Sequence, residues 1–215
     1  MKISESKIKF DENKVKSSYI ASCTYDVQCI KPGNVNYLSG HRDTVIDDFI
    51  KSFEVTSNII SLPNLSLGQR IYKCVESTKE AIDNNTNLGI ILLCSVFIQS
   101  LLENEKHSIS EAIKAVIMNA SHQDVTDMCS AISLADPGGL GSHESYDVRS
   151  RPVISLHEIM SLSSEYDQIS NQYSNYFTDI FNFIIPTLHN SISRIKDPKY
   201  AISYSFLKIL EKYPD

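Results

Sequence analysis

Two short joints in the chain carry residue types suited to holding phosphate. The first runs Ile30-Lys31-Pro32-Gly33-Asn34-Val35 and is followed by Gly40-His41-Arg42-Asp43; the second runs Asp136-Pro137-Gly138-Gly139-Leu140-Gly141 and is followed by His143 and Asp147. Glycine lacks a Cβ, so its backbone amide can turn toward an anion and come close to it, which makes a Gly-rich joint between helices a phosphate cradle. The spacing is neither the Walker pattern nor the dinucleotide fingerprint, and a tight turn accounts for the same residues. Carboxylates recur nearby at helical spacing. Asp43 and Asp47 are four apart and Asp124 and Asp127 three apart, so each pair presents oxygens on one helix face, as magnesium requires. Acidic residues in a first turn also complement the helix dipole. Asn85-Thr86-Asn87 sets three polar side chains directly ahead of the most apolar segment, and helix capping uses only one of them.

The elements that must position these residues are helical. Only 7 Gly and 7 Pro occur in 215 residues, too few for the turns of an all-β fold, and no β-alternation or fixed-period repeat persists. Pro32, Pro63, Pro137 and Pro152 mark joints, because the ring cannot donate a backbone hydrogen bond and disfavours helix in the residue before it. Between them the apolar periodicity predicts helices over 12–29, 43–61, 66–83, 86–103, 108–119, 122–134, 153–169, 171–189 and 198–212. Asp43-Thr44, Ser66, Asn85-Thr86, Ser108 and Ser121 stand where caps belong. Glu111, three residues after Ser108, completes a capping box. The expectation is an all-α, single compact domain of about nine helices spanning residues 1–215, with 1–12 flexible.

Composition narrows the partners. With 20 basic against 26 acidic residues, no global positive field recommends the chain to nucleic acid or to an anionic membrane. Residues 1–80 carry 11 basic and 10 acidic side chains and the remainder 9 and 16, so phosphate held by the second part needs a metal or a local cation. Five cysteines without a C-x-x-C spacing read as reduced, buried thiols of a cytoplasmic protein. Residues 1–16 lack the apolar run of a signal peptide. Leu88 to Leu102 is too short to span a bilayer.

Taken in order, Lys31-Pro32-Gly33-Asn34-Val35 with His41-x-Asp43, Asn85-Thr86-Asn87-Leu88-Gly89, Asp124, and Pro137-Gly138-Gly139-Leu140-Gly141 with Asp147-Val148 resemble the triphosphoribosyl-dephospho-coenzyme A synthase family. Ser155-Leu156 through Met160, Asp167, Tyr173 and Phe177 to Phe181 look like the family's following helical segment, so the resemblance covers roughly Val15 to the C-terminus. It implies an all-helical transferase that moves the 5-triphosphoribosyl group of ATP to the 2′-hydroxyl of 3′-dephospho-coenzyme A, or a similar acceptor, and releases adenine. Magnesium is implied by the triphosphate. Three differences stand out: Asn87 and Leu88 replace the His and Lys of citrate-lyase members, Asp26 replaces the usual Glu, and the sequence stops at Tyr213-Pro214-Asp215 where relatives continue with a basic Arg-Lys pair.

Displacement at an anomeric carbon wants a carboxylate near the ribose, donors for the triphosphate and a cation to offset its charge. On the resemblance, Asp26 is the expected general base or ribose contact, and Asp43 and Asp124 the second carboxylate or metal ligands, with Asp47 and Asp127 beside them. Lys31, Pro32, Gly33, Asn34, Gly138, Gly139, Gly141 and Asp147 are expected to line the phosphates, Asn85 and Thr86 to orient ribose or phosphate oxygens, and His41 to bond phosphate or protonate the leaving group. The Tyr166, Tyr173, Tyr176 set reads as packing. The expected ligands are ATP and a dephospho-CoA-like acceptor, with no nucleic acid and no membrane; a homodimer is left open. Two other readings remain: a metal-dependent helical nucleotide hydrolase using water as acceptor, and a nucleotide-binding helical module without catalysis.

Overall fold

Most helices begin on a short oxygen-bearing side chain that accepts from the free amides of the first turn. Asp11 accepts from the Lys14 amide, Ser108 from Glu111, Ser121 from Asp124, Ser155 from Glu158, Asp167 from Ile169 and Ser170, and Asp197 from Lys199. At Ser108, Ser121 and Ser155 the acidic residue three positions on reaches back to the serine amide, closing a capping box. A computed structural model describes residues 11–37, 46–82, 84–103, 108–137 and 153–214. These contain ten α-helices: α1 (Glu12–Gln28), α2 (Ile46–Ile60), α3 (Leu67–Ile82), α4 (Leu88–Glu103), α5 (Ile109–Asn119), α6 (His122–Ala135), α7 (Leu156–Ser163), α8 (Gln168–Ser174), α9 (Ile185–Arg194) and α10 (Pro198–Lys212). The fold is all-α and forms a single domain, as the proline spacing and helical periodicity predict.

Helix α4 is apolar nearly all round, and Leu88, Ile91, Leu92, Val96 and Ile98 are buried. Helix α3 packs against α2, α6 and α4; α1 lies on α2, α5 on α4, and α8 reaches α4. Tyr173 of α8 is fully buried and donates its hydroxyl to the Leu92 carbonyl at 2.7 Å, which fits the packing role expected of it. Phe177 meets Phe97 edge-on at 5.2 Å between centroids.

The last third differs from the two long helices expected over 153–169 and 171–189. Helix α7 stops at Ser163, and Asp167 caps a new helix by accepting from the Ile169 and Ser170 amides. Helix α8 ends at Ser174, where Asn175 accepts from the Thr178 amide, and Tyr176 and Phe177 both take left-handed backbone angles (φ 56° and 62°). A π-turn over Ile180–Ile184 then leads into α9 ahead of Pro186, whose ring removes one donor. Short polar side chains bonding to their own backbone override the apolar periodicity at both breaks.

Candidate active site

The first joint follows directly from the end of α1. Val15, Tyr19, Cys23 and Val27 recur every four residues and are buried, so α1 has one fixed face toward the bundle and Asp26 stands at its edge, half-exposed. The chain leaves the helix at Cys29, passes Lys31 and turns at Gly33, which holds φ +82° with open space where a Cβ would be. The Asn34 amide donates to the Lys31 carbonyl at 3.2 Å, closing the turn. Lys31 is 6% exposed, pairs with the Asp26 carboxylate, and lies 5.7 Å from the centroid of the Phe206 ring on α10. Burying an ammonium is costly without a counter-charge. Asp26 supplies that charge and the ring face adds a second attraction.

The surroundings tie this pair to two other helices. Cys94, in the middle of α4, has its thiol pushed up to about 12 by burial first and then by the neighbouring Cys23 and Asp26. Burial also raises Cys29, against the lowering effect of Lys31, and Lys199 and Asp197 at the start of α10 act on the same thiol. The Asp26–Lys31 pair therefore stands at the end of α1 beside the Phe206 ring of α10.

The second motif forms the wall of a separate cleft. Asn85 accepts from the Leu88 amide at 3.3 Å and so caps α4, the use that its position predicts. Asn87 is 4% exposed and accepts at Oδ1 from the Thr78 hydroxyl at 3.2 Å. A shallow, open cleft is lined by Val75, Thr78, Lys79, Asn84, Asn85, Asn87, Leu88 and Ala135. Ala135 is the last residue of α6, and Asp136 behind it takes a left-handed conformation (φ 43°) as the chain enters the glycine-rich joint. The Asn85–Asn87 motif thus shares a cleft with the last residue of α6. The hydroxyl of Thr86 is buried with no hydrogen-bond partner among the described residues.

The acidic pairs have different surroundings. Asp124 Oδ1 accepts from the Gly68 amide at 2.9 Å, and Oδ2 from the amide and hydroxyl of Ser121 at 2.8 and 2.7 Å. Burial would raise its pKa, but hydrogen bonds from Ser66, Ser121 and the Gly68 and Ser121 amides outweigh it and hold the carboxyl below its usual range. Asp127 instead bonds the Gln123 amide group at 2.7 Å, and Asp47 is exposed in the first turn of α2. These three carboxylates share no hydrogen-bond partner among the described residues. Nor, among those residues, does any group of three or more His, Cys, Asp or Glu side chains gather. His41, Asp43, Gly138, Gly139, Gly141 and Asp147 lie outside the described residues, and with them the expected meeting of the two phosphate joints.

Two residues that position this architecture escape a reading of the sequence. Arg70 is fully buried; it donates Nε to Gln99 at 2.9 Å and its terminal nitrogens to the carbonyls of Ile60, Leu62 and Leu65. Its signal is a charge within the apolar stripe Leu67, Ile71, Cys74, Val75. Gly68 is the other, and nothing in its neighbours announces it.

Residues 12–215 match the CitG family, ATP:dephospho-CoA triphosphoribosyl transferase, and the chain belongs to that family. It is accordingly a transferase, and ATP is a substrate of the family's reaction. The resemblance carried by the four ordered motifs is borne out. No curated protein and no solved structure matches the chain significantly. No helix among the described residues is long and apolar enough to cross a membrane.

Proposed function

We propose that this protein transfers the 5-triphosphoribosyl group of ATP to the 2′-hydroxyl of 3′-dephospho-coenzyme A or a closely similar acceptor, with release of adenine. The observation that carries this reading is the pairing of buried Lys31 with half-exposed Asp26 on the motif that the family shares. An ammonium has three protons, so Lys31 can hold a phosphate oxygen while keeping Asp26 oriented. Asp26 then accepts the proton of the attacking hydroxyl. The new bond joins the acceptor oxygen to the anomeric carbon, the bond from that carbon to adenine breaks, and its electron pair leaves with the base, whose nitrogen takes a proton from His41 or from water so that neutral adenine is released.

Backbone amides at the Gly33 turn, and those of the Gly138 to Gly141 joint, would bind the remaining phosphate oxygens, with His41 near the phosphate or the leaving group. Magnesium in this reading belongs to the triphosphate of the incoming nucleotide, and no step is assigned to a protein-held ion. Asp124 serves position, holding α6 against α3.

Incubation with ATP and dephospho-coenzyme A, followed by chromatography for free adenine, tests the reading. Adenine formed only when the acceptor is present supports transfer. Adenine formed equally without acceptor would replace it by hydrolysis, and tight binding without any adenine by a non-catalytic module.

A further inference from the structure

The corner between α8 and the π-turn holds a carboxylate that is fixed in place but only half used. Asp179 begins the π-turn without capping it, since its side chain accepts from no amide of that turn. Instead its Oδ2 accepts from the carboxamides of Asn175 at 2.8 Å, Asn171 at 3.2 Å and Gln172 at 3.5 Å. All three bonds fall on one oxygen. Oδ1 accepts from none of the described residues, and no cation among them pairs with the charge. Asp179, Asn171 and Asn175 are half-exposed.

Tying down the corner explains the asparagines but not Gln172. That side chain is 6% exposed, and its Oε1 has no hydrogen-bond partner among the described residues. Turning the carboxamide round would set the oxygen against the Asp179 carboxylate, so one end stays unpaired either way. At 3.5 Å the bond to Asp179 is at the limit of a hydrogen bond, which leaves the head free to swing its oxygen toward an incoming donor.

The chemistry of the set limits what that donor is. A hard cation wants six or more oxygens, and the amide N–H groups crowding Oδ2 would repel it. An ammonium donates but cannot accept. A hydroxyl does both: it can donate to either oxygen and take a bond back from the second N–H of Asn175 Nδ2. Two acceptors on head groups in contact match two hydroxyls on adjacent carbons. Resting on the transferase reading above, in which both substrates contain ribose, we infer that this corner is a ribose-diol subsite in which Asp179 Oδ1 and Gln172 Oε1 accept from neighbouring hydroxyls.

Isothermal titration of the full chain with ATP and with dephospho-coenzyme A, each beside its 2′-deoxy and 3′-deoxy forms, tests this. Asp179→Asn keeps a carbonyl oxygen for the three amides and puts an amide nitrogen in place of Oδ1. The parent should bind one of the substrates about tenfold more tightly than a deoxy form of it, as expected for a hydrogen bond to a charged group. In Asp179→Asn that difference should vanish. A difference seen with ATP assigns the ribose that is transferred, and one seen with dephospho-coenzyme A assigns the ribose of the acceptor. Equal binding of all forms by the parent, or a difference that survives in Asp179→Asn, overturns the subsite. So does binding of magnesium alone by the parent and not by the variant, which would make the corner a cation site.

Should Asp179→Asn fail to fold, crystals of the unaltered chain soaked with each substrate still answer. A ribose oxygen within about 3.2 Å of Asp179 Oδ1 is expected, and both riboses lying elsewhere overturns the proposal. Adenine release by the unaltered chain, measured in parallel, keeps the two readings apart. Release that continues while every deoxy form binds equally sinks the subsite and leaves the transferase reading standing; a deoxy difference without release does the reverse.

Discussion

The Gly68 amide donates to Asp124 Oδ1 at 2.9 Å, and a Cβ built on Gly68 would lie 2.5 Å from Asp124 Cα. Helices α3 and α6 are in contact at this point through bare backbone. Gly68→Ala gains about 1 kcal/mol of helix propensity but forces the two helices apart, and overpacking of this kind costs about 1–3 kcal/mol. The variant should therefore unfold at lower urea than the parent. A raised midpoint would show that the contact tolerates a methyl group.

Removing the carboxylate tests the other half of the same contact. Asp124→Ala loses a cap worth about 1 kcal/mol and strands the Gly68 amide, for a total of about 2–3 kcal/mol. Because the folded state holds this carboxyl below its ordinary range, its contribution is complete above the unfolded pKa of about 3.9 and is lost as pH falls through the lower folded value. The gap in urea midpoint between the parent and Asp124→Asn should close on acidification below pH 4, and a gap that widens there would contradict the assignment.

Arg70 gives a third test. Burial pulls its pKa down to about 10, so it is charged at neutral pH and bound to three carbonyls and Gln99. Arg70→Met strands those acceptors and should cost about 1–3 kcal/mol for each one left buried and unpaired. Arg70→Lys should recover little, since an ammonium cannot span the same fork. Thermal unfolding of both variants measures this, and a lysine variant as stable as the parent would sink the geometric argument.

For the chemistry, Asp26→Asn should lower turnover about 10²–10⁴-fold with the circular dichroism spectrum unchanged, as loss of a general base does. Lys31→Met should weaken ATP binding and also loosen the fold, because it removes the charge beside Asp26. Full turnover in Asp26→Asn would return the base to one of the other carboxylates.

The thiols offer a prediction independent of activity. Burial pushes Cys23, Cys74 and Cys94 each up to about 12, so almost no thiolate exists at pH 8 and these three should resist iodoacetamide in the native protein. Mass spectrometry should find them labelled only after denaturation. Rapid native labelling of Cys74, which is fully buried, would mean that α3 opens locally.

How far the sequence was legible depends on which interactions are local. Ser108 with Glu111, Asn85 ahead of α4 and the apolar run of α4 itself are written within a few residues and could be read directly. Asp124 was legible as important, but its partner Gly68 is 56 residues away, so the sequence suggested a cation face where the fold makes a helix contact. Lys31 stood out by its motif. That it would be buried over Phe206 depends on where α10 returns, which no local pattern encodes. Arg70 and the unused oxygen of Asp179 became visible only once neighbouring hydrogen-bond partners could be counted.

Tyr176 and Phe177 adopt left-handed angles that bulky residues avoid, at about 1–3 kcal/mol each. No glycine eases this corner. The Phe177 ring sits fully buried between Phe97 and Tyr173, so an aromatic anchor supplies what backbone freedom does not. The heading taken by everything after residue 177, including the α10 ring that faces Lys31, is thereby steered from inside the core. A change at Phe97 would be felt at Lys31 as a misaligned wall.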